Sequence, residues 1–169
     1  MKTIFRISAF ALLTVFALHS CGRKENPATN EETATEVAPI ETVAPVSNDL
    51  HIESNDQMQY TTTELKATTG KIKLTLQHIG KMDKSVMGHN LVILKQGTAI
   101  VDFTMKALDA KATDYIPDSE KENIIAHTKL IGGGESDTIE FTINQKGSYD
   151  FICSFPGHAA LMKGKLIVE

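Results

Sequence analysis

The segment Cys153-Ser154-Phe155-Pro156-Gly157-His158-Ala159-Ala160-Leu161-Met162 places a thiol, an imidazole and a thioether within ten residues. Soft sulfur together with imidazole favours copper over magnesium, calcium or manganese. A trigonal site needs a second histidine, and Met87-Gly88-His89-Asn90 supplies a candidate far upstream. Two histidines, one cysteine and a weakly bound methionine form the ligand set of a blue-copper electron-transfer centre. Zinc is the second metal that cysteine and histidine suit, although a long thioether contact would be odd in structural zinc. Two metal-free readings stand beside these. Cys153 and His158 could act as a thiol–imidazole nucleophile pair, and a lone buried cysteine or methionine is ordinarily a packing residue.

For one loop to aim three side chains at a point, Cys153 must end a strand and Met162 must begin the next. The flanks read that way, with Tyr149 to Cys153 as one strand and Lys163 to Glu169 as the last. Lys71 to His78 alternates strictly, with Ile72, Leu74 and Leu76 facing inward. Thr138 to Ile143 repeats the alternation after a turn at Gly132-Gly133-Gly134. Leu91 to Leu94 is a short apolar run, as expected of a strand buried on both faces. Ala99 to Tyr115 departs from this pattern and predicts a helical excursion ended by Pro117 and Asp118. Several short strands with turn signals predict an all-β fold, a β-sandwich or Greek-key barrel. His78 shares the inward phase of Leu74 and Leu76 and reads as a satisfied interior histidine. His127 points outward, His51 carries no signal, and Asp118-Ser119-Glu120-Lys121-Glu122 reads as a solvated turn.

A length of 169 residues suits one domain with appendages. The formal charge of −4 excludes a broad basic footprint, and with it nucleic acid as a partner. Two cysteines cannot build a disulfide scaffold, and no apolar run reaches the roughly 20 residues that span a bilayer. Residues 1–20 read as a signal peptide, with Lys2 and Arg6 before the apolar run Ile7 to Leu18. Leu18-His19-Ser20-Cys21 resembles a bacterial lipoprotein signal, which implies cleavage before Cys21 and lipidation of its sulfur. Stable anchoring takes more than one acyl chain. Secretion with a free thiol is the alternative. Residues 21–47 then comprise the lipidated cysteine and a linker. Three of the five prolines fall there and no aromatic residue does, so the stretch reads as a flexible tether. Such a coil spans about 25–30 Å. Cleavage removes two basic residues and leaves 15 against 21 acidic ones, a formal charge of −6.

Over nearly all of 49–169 the sequence resembles the azurins, a family of cupredoxins. The resemblance is carried by Asn55-Asp56-Gln57-Met58-Gln59, Val86 to Asn90, Ile125 to Gly132, and Cys153 to Gly164. It implies an eight-stranded Greek-key sandwich with a small helical flap over 48–169. It also implies one type 1 copper, with His89, Cys153 and His158 as equatorial ligands and Met162 as the axial one. The Gly88 carbonyl would be a distant contact on the opposite side. Backbone N–H groups of Asn90 and Phe155 would bond the cysteine sulfur and tune its potential. The histidine matching His78 would lie near the metal without binding it, and can titrate. The disulfide common near the azurin N-terminus has no counterpart, since residues 22–152 contain no cysteine. The tryptophan that often follows the His-Asn pair is Leu91.

The implied role is an electron carrier rather than an enzyme. It would serve envelope redox proteins, such as c-type cytochromes or a terminal reductase or oxidase. Docking would use Met87, Phe155, Pro156, Gly157 and Ala159 around the His158 ring edge. Copper buffering, delivery or resistance is the competing role and calls for an open Met- or His-rich site. The six methionines here are dispersed. A catalytic copper centre would need a further cluster of histidines.

Overall fold

Period-two alternation puts apolar side chains on one face of each strand, and two such faces must close on each other to leave water. The computed structural model describes residues 46–169, and these residues do so. The expected signal peptide, Cys21 and the linker as far as residue 45 lie outside the described residues.

One sheet contains β1 (Asp49–Asn55), β2 (Gln59–Tyr60), β4 (Gly70–His78) and β7 (Ser136–Ile143), in the order β2-β1-β4-β7. The other contains β3 (Glu64–Ala67), β5 (Val92–Leu94), β6 (Ile124–His127), β8 (Gly147–Ile152) and β9 (Lys163–Val168), ordered β3-β9-β8-β5-β6. Strands distant in sequence lie side by side, β1 parallel to β4 and β3 parallel to β9. The sheets form a sandwich rather than a closed barrel. The two-residue β2 raises the expected eight strands to nine among the described residues.

Ile72, Leu74 and Leu76 of β4 are fully buried, as their alternation requires, and β5 is buried at all three positions. Ile52, Leu91, Ile93, Phe151 and Leu166 complete the centre of the core. Each such side chain contributes about 2 kcal/mol by leaving water. Leu91, smaller than the tryptophan that the resemblance would put there, is fully enclosed in this packing.

The predicted excursion forms α2 (Ile100–Ala107), which follows the four-residue α1 (Lys84–Met87) and buries Phe103 and Ala107. It stops earlier than expected and passes into a 3₁₀ turn at Lys111–Thr113. Pro117 does not end this helix. It precedes a second 3₁₀ turn, Asp118–Asn123, which is exposed at Asp118, Ser119, Lys121 and Glu122 as a solvated turn should be, and departs from that reading only at Glu120. Glu120 is only 5 % exposed, and its carboxylate accepts hydrogen bonds from the Lys106 ammonium and the Asn123 amide. The Lys106 bond, reinforced by Asn123, holds its pKa below the ordinary carboxylate value. The pair ties α2 to the turn that leads into β6.

Candidate metal centre

Loop geometry starts from the β8–β9 ladder. Cys153 follows β8 and donates its N–H to the Met162 carbonyl at 2.9 Å, adding one rung before the chain turns. Within the loop, His158 N–H bonds Phe155 O, and the N–H groups of Leu161 and Met162 return to His158 O. Gly157 permits the turn by adopting φ +81°, a left-handed conformation that side chains disfavour.

His89 reaches the same point from the segment that leads into β5, the strand beside β8. It exchanges backbone hydrogen bonds with Ile131 at 2.9 and 2.8 Å. Its Nε2 lies 2.9 Å from the Asn55 carbonyl, so this nitrogen carries the proton and Nδ1 keeps a free lone pair. The His78 ring stacks on it with centroids 4.5 Å apart and planes 16° from parallel. Gly80 N–H donates to His78 Nδ1, which leaves the His78 proton on Nε2, 3.2 Å from Met87 O.

The donor atoms converge. His89 Nδ1 is 3.2 Å from His158 Nδ1, and Cys153 Sγ is 3.7 Å from His158 Nδ1 and 4.0 Å from His89 Nδ1. Burial lowers His89 to about 4, against the opposing bond to Asn55, and lowers His158 to about 4. Both imidazoles are therefore neutral at pH 7. Burial pushes the Cys153 thiol up to about 12, opposed by the N–H groups of Asn90 and Phe155 that favour the thiolate. Two neutral imidazoles and a sulfur aimed at one buried point fit a soft cation that displaces the thiol proton.

The sequence profile of copper-binding proteins of the plastocyanin/azurin family matches residues 46–169. The chain belongs to that family. It is 42 % identical over 120 residues to Azurin-2 of Alcaligenes xylosoxydans xylosoxydans, covering 68 % of this chain and 92 % of that one. It is 43 % identical over 121 residues to Outer membrane protein H.8 of Neisseria gonorrhoeae, covering 68 % and 64 % respectively. Among solved structures, auracyanin from Roseiflexus castenholzii superposes with a TM-score of 0.66 at 34 % identity. That match covers 73 % of this chain and 98 % of the other. Copper is the family's metal, and His89, Cys153 and His158 form the one group of three metal-ligating side chains among the described residues.

In this plastocyanin/azurin relative, the neighbouring residues fall into place around the three. Met162 is fully buried in the cluster that contains Cys153. Gly88 is buried, and a Cβ there would collide with the Lys84 carbonyl oxygen, so only glycine lets the backbone close in. The Asn90 side chain joins the two ligand segments. Its Oδ1 accepts from Ser154 N–H at 2.8 Å, and its Nδ2 donates to Ser154 Oγ at 2.8 Å and to Asp114 O at 3.0 Å. Tyr60 OH donates to the Asn90 carbonyl. The roles of Asn55, Tyr60, Ser154 and Asp114 carry no signal in the sequence: Asn55 and Asp114 act through backbone carbonyls, which leave no mark on residue type, and Tyr60 and Ser154 are common residues whose partner Asn90 is distant in the chain. His51 and His127 lie exposed and outside the group.

Proposed function

We propose that the domain carries single electrons between redox proteins of the cell envelope. Copper would be held by His89, Cys153, His158 and the Met162 thioether, with the Gly88 carbonyl as a further contact, and would supply a Cu(I)/Cu(II) couple that makes and breaks no substrate bond. The observation that carries this reading is the convergence of three donor atoms in a site where His89 and Cys153 are fully buried. Cys153 and Met162 adjoin the ends of β8 and β9, and His89 is pinned by its bridge to Ile131, so this packed frame supports one donor geometry when the charge changes. Asn90 and Phe155 N–H groups stabilise negative charge on the sulfur, and the closed core excludes water. Buffering or delivery would call for exchangeable metal, which this burial disfavours.

His158 keeps 4 % of its surface, and the Phe155 ring lies 4.5 Å from it. Met87, Phe155, Pro156, Gly157 and Ala159 are partly or fully exposed. A small apolar patch suits brief encounters with a c-type cytochrome or a terminal reductase or oxidase. Export and lipid anchoring through Cys21 complete the reading, and the outer-membrane name of the Neisseria relative supports a membrane setting.

Adding Cu(II) to the purified protein should give an intense blue thiolate-to-copper band with narrow hyperfine splitting in EPR. Cys153→Ser should abolish both, and a colourless adduct of the intact chain would overturn the reading. Met162→Leu should keep the colour and raise the potential. Ala159→Asp should slow self-exchange without altering the spectrum. Mass spectrometry of membrane fractions should find acyl groups on Cys21, and Cys21→Ala should release the protein.

A further inference from the structure

Residues 46–169 contain 13 lysines and 16 acidic residues, a formal charge of −3. Among the described residues, seven of these lysines have a carboxylate within 4.0 Å. The six without one are Lys81, Lys84, Lys95, Lys111, Lys146 and Lys163. They are not spread evenly. Lys84 and Lys111 line one groove with Tyr115 and Phe155, while Lys163 lines a second with Phe155, Pro156 and Ala159. Phe155 belongs to both grooves, so unpaired ammonium groups stand on either flank of the loop that covers His158. Lys81 extends the rim beyond Lys84. Lys95 lies in a separate groove with Tyr149, and Lys146 sits in the β7–β8 turn.

Two carboxylates share the first groove, and both are occupied by their own backbone. Asp83 accepts from Ser85 N–H at 2.7 Å and from its hydroxyl at 2.6 Å, bonds that hold it below the usual carboxylate range. Asp114 accepts from Leu130 N–H at 3.4 Å. The lysine heads have no such internal partner. A net acidic domain thus presents a basic ring around an apolar centre at its metal end.

We propose that this face docks an acidic electron-transfer protein, one whose redox centre reaches an apolar edge ringed by Asp and Glu side chains. This rests on the electron-carrier reading. Charge complementarity steers encounter and selects against wrong partners, and the bare apolar loop permits close approach at the centre. An anionic lipid surface could satisfy the lysines, but it would cover His158 with a layer that exchanges no electrons.

The test uses the full chain loaded with Cu(I) and the redox-inert, paramagnetic trianion hexacyanochromate(III). Amide signals of Lys84, Lys111 and Phe155 to Lys163 should broaden, and the effect should weaken with salt. The triple variant K84E/K111E/K163E should lose the broadening. It should also slow oxidation by hexacyanoferrate(III) about ten-fold at low ionic strength. In that reaction one electron leaves Cu(I), giving Cu(II) and hexacyanoferrate(II). K95E/K146E should change neither readout. Broadening centred on Lys95 and Lys146, or broadening that survives in the triple variant, would overturn the proposal. So would binding to phosphatidylglycerol vesicles that is lost in the triple variant while the anion map is unaffected. Failure of the copper protein to exchange electrons with hexacyanoferrate(III) or a cationic cobalt(III) chelate would sink the carrier reading, while the chromium map still judges the rim.

Discussion

His89 and His158 present the same atom to the same point, yet they are held in opposite ways. His89 is fixed by the scaffold: a backbone pair with Ile131, the Asn55 carbonyl on its far nitrogen, and the His78 ring stacked on its face. His158 belongs to a 3₁₀ turn, and its ring lies against His89, the Cys153 sulfur and Phe155. No protein carbonyl among the described residues takes its second nitrogen. One imidazole is thus set by three segments of distant sequence and the other by a loop of consecutive residues. The lesson is a division of labour. The scaffold fixes the site, and the loop leaves one ligand near the surface.

Asn90 bridges the two halves, so cutting it should have the largest effect. Asn90→Leu would strand the Ser154 N–H and the Asp114 carbonyl, at a cost of about 3 kcal/mol. Urea unfolding should measure it, and amide exchange should rise at Ser154 to His158 more than at His89 and Ile131. Equal loosening of both segments would break the contrast. The glycines sharpen it. Gly88→Ala on the scaffold side drives a methyl into the Lys84 carbonyl and should cost about 2 kcal/mol.

Acid should weaken the metal-free protein through both histidines. Their folded values, about 4, lie below the ordinary 6.5, so between those limits the unfolded chain binds more protons. Stability should therefore fall as pH drops from about 6.5 toward 4, read as a shift in the urea midpoint. Cys153 works on the alkaline side. Its folded value of about 12 exceeds the ordinary 9, so stability should fall as pH rises between them. A flat profile from pH 4 to 6.5 would mean that the imidazoles are not buried neutral. The smallest effect belongs to the loop. Gly157→Ala meets nothing within 4 Å, and only its positive φ opposes a side chain, so about 1 kcal/mol is expected.

Strand positions and the inward phase of Ile72, Leu74, Leu76 and His78 were legible because a half-buried strand writes its faces in alternation. The Cys153–Met162 loop was legible because its metal-ligating side chains are close in sequence and their chemistry is distinctive. The Asp118–Glu122 stretch is an exposed turn except at Glu120, whose burial was hidden for the opposite reason. Its charged composition matches a solvated turn, and burial of Glu120 depends on Lys106 arriving from α2. By itself, then, the sequence determined the strand pattern, the donor types and the metal those donors suit. Tertiary structure alone decided that His89 meets the loop, that Asn55 holds its proton, and which lysines remain unpaired around Phe155. Those outcomes depend on backbone carbonyls and on distances across the sandwich, and neither is encoded in the identity of any one residue.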